Sequence, residues 1–137
     1  MSGARTVGEH LVAVHTTLRG QLAELRARVA DGQSPPLELR EFCLTWCASL
    51  HAHHTGEDAV AFPMLRERHP ELAPVLDRLR RDHVVVEELQ ERLRRTLDEP
   101  GPGTLAVVDT LTGLLEAHFA EEEARLMDAL DGLPLPS

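Results

Sequence analysis

Residues 37–68 read LELREFCLTWCASLHAHHTGEDAVAFPMLRER, and the spacing of their apolar side chains decides the fold. Leu39, Phe42, Trp46 and Leu50 recur every three or four residues, as one face of an α-helix requires. The stripe then continues through His53, Glu57, Val60 and Met64. Such a face must be buried against partners, so two polar residues are carried into a core. Ser34-Pro35-Pro36 opens the helix and His69-Pro70 closes it near Arg68. Pro63 lies inside and predicts a kink, because it lacks an N–H and its ring presses on the preceding turn.

Three further segments repeat the pattern. The first opens at Thr6, with Glu9 completing a capping box, and stops at Asp31-Gly32. Its stripe is Leu11, His15, Leu18, Leu22, Leu25 and Val29. The third runs from about Leu72 to Asp98 with Leu76, Leu79, His83, Val86, Leu93 and Leu97, Gln90 being a polar lapse. Pro100-Gly101-Pro102-Gly103 breaks the chain before a fourth segment that Thr104 is expected to cap. That segment carries Val108, Leu111, Leu115, His118, Glu122 and Leu126 and ends near Asp131-Gly132. The tail Leu133-Pro134-Leu135-Pro136-Ser137 cannot continue it. The expectation is an all-α, up-down-up-down antiparallel four-helix bundle forming one domain over 1–137, with helices at about 6–31, 37–68, 72–98 and 104–131.

Composition agrees with that class. Apolar residues are 42%, enough for a core, while aromatics are 3%, which disfavours a sandwich or barrel. A formal charge of −9 makes nucleic acid and anionic lipid poor partners. No N-terminal stretch combines a basic flank with a long apolar run, and no apolar segment reaches the length of a membrane span, so a cytoplasmic protein is expected. Cys43 and Cys47 are four apart, which is not the spacing of a zinc knuckle or a redox pair, and they read as buried thiols.

Each stripe is interrupted by a histidine, and the four lie at similar depth. His15 stands about 16 residues before the first turn and His53 about 16 after it. His83 and His118 stand about 15 and 14 residues from the last turn. At a rise of about 1.5 Å per residue each pair is level within ~2 Å. The middle connection is offset by about 6 Å, which the Arg68–Pro74 stretch must absorb. His53-x-x-x-Glu57 and His118-x-x-x-Glu122 each place an imidazole and a carboxylate one turn apart on one face. Without metal, that cluster would bury carboxylates with no basic residue on the stripes to neutralise them.

Four imidazoles and two carboxylates are too many for one ion and suit two, each taking two histidines while both carboxylates bridge. Mixed nitrogen and oxygen ligands favour iron, with zinc or manganese as substitutes. Glu87, four residues after His83, reads either as a further ligand or as a boundary salt bridge. The remaining histidines fail the direction test: His51 lies about 160° and His54 about 100° around the helix from His53. His10, about 140° from His15, and His69, in a turn, join them as surface or supporting residues. Asp58, Glu121 and Glu123 are also off the stripe, although a local π-bulge would rotate Glu123 inward as a rival to Glu122.

His15, the run His53-His54-Thr55-Gly56-Glu57-Asp58 with Phe62-Pro63, then Asp82-His83 and His118-Phe119-Ala120-Glu121-Glu122-Glu123 together resemble the hemerythrin-like (HHE cation-binding) domain over nearly the whole chain. The resemblance implies a non-haem di-iron centre with an oxo or hydroxo bridge. His15 and His53 would serve one iron, His83 and His118 the other, and Glu57 and Glu122 would bridge. Oxygen-carrying hemerythrins have a second histidine where this chain has Glu87, and an aspartate five residues after the fourth-helix histidine, where Glu122 stands four after. An anionic Glu87 ligand would favour the ferric state and count against reversible oxygen carriage. No cysteine precedes Cys43, unlike the cysteine-bearing N-terminal region of iron–sulfur repair relatives, so that role is not expected.

The expected function is therefore binding, sensing or reaction of a small ligand, O2, NO or peroxide, at a carboxylate-bridged iron pair. An enzyme consuming peroxide or NO would show sustained turnover, whereas an iron-handling protein would lose iron to a weak chelator. On this reading His53→Ala sharply lowers metal content and His54→Ala does not.

Overall fold

The computed structural model describes residues 6–133, and among them every regular element is helical. Helix α1 spans Val7–Asp31, α2 Pro36–Gly56, α3 Phe62–Arg68, α4 Ala73–Thr96 and α5 Pro102–Asp131. A π-helical turn, Glu57–Ala61, joins α2 to α3, and a 3-10 turn, Pro70–Leu72, leads into α4. These make four long helical arms, α2 and α3 being two parts of one. The tail Pro134–Ser137 lies outside the described residues.

Local chemistry accounts for the ends. Thr6 Oγ1 accepts from Glu9 N at 3.0 Å, and Glu9 Oε1 accepts from Thr6 N at 3.3 Å, so the capping box forms. Gly32 ends α1 at φ 68°, a left-handed conformation that glycine adopts without a Cβ penalty. Thr104 does not cap α5. That helix begins two residues earlier, at Pro102, and Thr104 Oγ1 reaches back to accept from Gly101 N at 3.2 Å. Proline at the first position loses no bond there, which is why the helix starts on it.

The π turn is the main departure from the expected second helix. Phe62 N donates to Glu57 O, five residues back, just before Pro63. In an unbroken α-helix the Pro63 ring would crowd the carbonyl four residues before it, and the wider turn relieves that crowding. The extra residue shifts the buried face by one position or more. Val60, expected inside, is 58% exposed and Met64 only partly buried, whereas Phe62 and Leu65 enter the core.

Arm α1 packs against α2 and α5, and α4 against α2 and α5. Two apolar clusters result. One holds Leu18, Leu22, Leu25, Trp46, Leu50 and Leu111 among others. The other holds Leu11, Phe62, Leu65, Leu76, Leu79 and Leu126 among others. Along α1, α4 and α5 a buried histidine falls between them, so the polar residues form a layer between two apolar ones. Leu50 is fully buried in the first cluster. Leu50→Ala should cost about 2–5 kcal/mol in urea unfolding, and a loss below about 1 kcal/mol would contradict that packing.

Candidate metal centre

Each arm sends side chains into the polar layer: His15 from α1, His53 and His54 from α2, His83 from α4, and His118 and Glu122 from α5. Glu57, the first residue of the π turn, completes it. All are buried except His53, which keeps a small exposed edge. The atoms fall into two sets whose members lie within 4.8 Å of one another. One set is His54, Glu57, His83 and His118; the other is His15, His53, Glu57 and Glu122.

The two carboxylates divide their oxygens between the sets. Glu57 Oε1 lies 3.1 Å from His83 Nε2, while its Oε2 lies 3.3 Å from His53 Nε2. Glu122 Oε1 lies 2.9 Å from His118 Nε2, while its Oε2 lies 3.2 Å from His15 Nε2. The rings are oriented from outside. His15 Nδ1–H donates to Glu123 Oε2 at 2.7 Å, His83 Nδ1–H to Asp58 Oδ1 at 2.9 Å, and His118 Nδ1–H to Asp82 Oδ2 at 3.0 Å. An ionised carboxylate only accepts, so each outer bond puts the hydrogen on Nδ1 and turns the Nε2 lone pair toward the centre. Arg19 at 3.4 Å from Glu123 and Arg80 at 3.8 Å from Asp58 steady two of these outer carboxylates.

The interior is correspondingly short of donors. His15, His53 and His54 Nε2, Glu57 Oε1 and both Glu122 oxygens are buried without a hydrogen-bond partner. Close approach is not bonding here: a neutral imidazole lone pair facing a carboxylate oxygen repels it. Protonation is one relief. Burial alone would lower His118, but Glu122 and then Asp82 overturn that and raise it to about 9. Burial also opposes the rise at His53, which Glu57 drives upward. Burial would raise Glu57, yet the histidines His53 and His83 hold it well below the usual carboxylate range. His54 goes the other way. Burial, then the charges of His83, His118 and His53, pushes it down to about 2, which leaves a neutral imidazole able to ligate.

Six of the seven residues singled out in the sequence are thus brought together: His15, His53, Glu57, His83, His118 and Glu122. Glu87 is not among them. Its side chain is 58% exposed and pairs with His51 Nδ1 at 3.0 Å on the surface. Of the two readings of Glu87 the salt bridge is the one observed, and the ferric bias, which required an anionic ligand there, is dropped. Glu87→Ala should leave metal content unchanged and stability within about 0.5 kcal/mol, as elemental analysis and urea unfolding would read; loss of metal would reinstate it.

His54 is the correction in the other direction: it is 5% exposed, inside the layer, with its ring stacked on His83 at 3.8 Å. The buried face of α2 comprises Cys43, Trp46, Cys47, Leu50 and His54, so the inward direction falls between His53 and His54. Each lies near 50° from it, within reach of an imidazole. Burial of Cys43 and Cys47 beside Trp46 was the signal that could have widened the stripe. His10 and His51 are exposed and His69 sits at the turn, as their directions implied. Glu123, Asp58 and Glu121 stay outside the layer, the last paired with Arg78 at 2.8 Å.

A helical protein whose core layer is built from imidazoles and shared carboxylates is, by its chemistry, a cation-binding protein. The chain belongs to the hemerythrin HHE cation-binding domain family, whose model matches residues 6–131. No curated protein and no solved structure gives a significant match.

Proposed function

We propose that this chain is a hemerythrin-like, non-haem di-iron protein that binds, senses or reacts with a small diatomic or peroxide ligand. One observation carries the reading: Glu57 and Glu122 each split their two oxygens between two sets of histidines. That is the arrangement bridging carboxylates need, and the unpartnered interior atoms fit a pair of cations better than any neutral filling. His54, His83 and His118 would hold one ion and His15 and His53 the other. Ligands of nitrogen and oxygen without thiolate favour iron over softer ions, with zinc and manganese as substitutes. When bound, an iron pair supplies reversible electron transfer to and from such a ligand.

The chain's own residues set the terms of that chemistry. Asp58, Asp82 and Glu123 hold three rings in one tautomer and strengthen them as donors. A cavity of about 100 Å3, lined by His51, His54, Thr55, Asp58, His83 and Glu87, reaches two of the site histidines. Its volume suits a ligand of a few atoms, which is why gases and peroxide are preferred as partners over organic substrates. The antiparallel, up-down direction of the arms belongs to the same reading. Gly8–Asp131 with Arg26–Asp109 between α1 and α5, and Arg78–Glu121 with Asp82–His118 between α4 and α5, run in opposite senses along neighbouring arms and support it. The unbridged thiols suit the reducing cytoplasm, and among the described residues no helix is long and apolar enough to cross a membrane.

The test is metal analysis with an optical spectrum of aerobically purified protein. The expected result is about two irons per chain with the near-ultraviolet absorption of a coupled ferric pair. Less than one metal per chain, or a mononuclear spectrum, would overturn the proposal. Steady consumption of peroxide or NO by the loaded protein would make it an enzyme; one stoichiometric colour change would make it a binder or sensor.

A further inference from the structure

We infer that Cys43 and Cys47 form a second, separate metal site, a two-thiolate clasp for a single soft monovalent cation such as Cu(I). The two side chains project from successive turns of α2 with their sulfurs 3.9 Å apart, and both are buried. They lie in the apolar cluster with Trp46 and Leu50, away from the histidine and carboxylate layer.

Magnitudes separate the chemistries open to such a pair. A disulfide needs sulfurs at about 2.05 Å and Cβ atoms no more than ~4.5 Å apart, whereas residues four apart on a helix hold their Cβ atoms about 5–6 Å apart. Oxidation would therefore have to unwind α2. Chelation requires no such change. Two metal–sulfur bonds of ~2.3 Å put the sulfurs between about 3.8 Å, at a tetrahedral angle, and ~4.6 Å, in a line, a span that includes the 3.9 Å already present. Soft thiolates select Cu(I) over the harder ions suited to the other site.

The surroundings favour a singly charged ion. The Cys43 thiol bonded to it, and then the Arg94 guanidinium, hold the Cys47 thiol below its ordinary value against the effect of burial. Its hydrogen bond to Cys47, and then burial, push the Cys43 thiol up. The cation takes the place of the thiol protons: two S–H bonds break and two metal–sulfur bonds form, both protons pass to solvent, and the complex carries one negative charge facing Arg94. There is a route in. Cys47, with Ala48, Gln90 and Arg94, lines an open cavity of about 520 Å3 between α2 and α4.

The experiment uses the protein with its iron in place and Cu(I) presented in competition with a chromogenic bicinchoninate chelator. The wild-type chain is expected to withdraw about one Cu(I) per chain, and Cys43→Ser and Cys47→Ser each to lose that uptake while retaining iron. Copper-edge X-ray absorption of the wild-type protein is expected to show sulfur neighbours, a readout that needs no variant to fold. Equal uptake by all three proteins, a copper shell of nitrogen and oxygen alone, or a loss of two mass units by disulfide formation in place of copper binding would each overturn the proposal. Iron content, read in the same samples, reports separately on the di-iron reading.

Discussion

His54→Ala should leave the protein folded and, on the proposed di-iron reading, holding about one iron per chain in place of about two. The imidazole it removes is buried, neutral, stacked on His83 at 3.8 Å, and grouped with Glu57, His83 and His118. Without it, the ion on that side keeps two histidines and the shared carboxylates, and the buried layer offers no other side chain to replace the lost donor. The helical dichroism should change little, because alanine favours helices and the lost ring packs mainly against other polar rings. His53→Ala should also lose metal, from the opposite set. The pair of variants therefore discriminates. Metal loss in His53→Ala alone would restore the single inward direction that a strict stripe implies, and would remove His54 from the site.

That contrast marks how far the sequence can be read. Stripes on the first, third and fourth segments transfer directly, because α1, α4 and α5 are unbroken and one rotation per residue holds along each. Even Gln90, a polar lapse by type, is buried where its position requires, and its amide finds the Cys47 carbonyl at 3.4 Å. The second segment fails at two points, for different reasons. Its buried face is wide, so assigning one inward residue per turn chose His53 and discarded His54. Its periodicity also changes at the π turn, where one more residue enters the circuit, and every position beyond Glu57 is displaced. Pro63 signalled trouble there, but a proline announces a disturbance without specifying a bend or a wide turn. The 3-10 turn at Pro70–Leu72 lies within the Arg68–Pro74 stretch to which the depth count assigned an offset of about 6 Å, whereas the wide turn lies before it, between His53 and Arg68. Glu87 was misassignable because spacing alone cannot distinguish a residue at the edge of a face from one on it; the surface partner His51 decides it.

Stripping the metal should lower the thermal midpoint by roughly 12 °C, since an ion pair bound at a thousandfold over its dissociation constant contributes about 4 kcal/mol, and a chain of this size moves about 3 °C per kcal/mol. The loss has a structural origin that a second variant exposes. Glu122 is 0% exposed, and neither of its oxygens has a hydrogen-bond partner. A carboxylate in that position is justified only by a cation. Once the cation is gone, the carboxylate stays buried beside lone pairs or must be neutralised by protonating His118, itself inside the core. Glu122→Met keeps nearly the same volume and lets the side chain join Leu126 and its neighbours. In the metal-free state this variant should be more stable than the metal-free wild type, by about 1–3 kcal/mol. With iron supplied, the order should reverse, because on the proposed reading the variant has lost a carboxylate shared by both ions. Urea unfolding of both chains, with and without iron, reads all four states. A metal-free wild type as stable as the loaded form, or a Glu122→Met chain weaker than wild type without metal, would mean that the buried carboxylate is satisfied by the protein alone, and the polar layer would lose its claim to be a metal site.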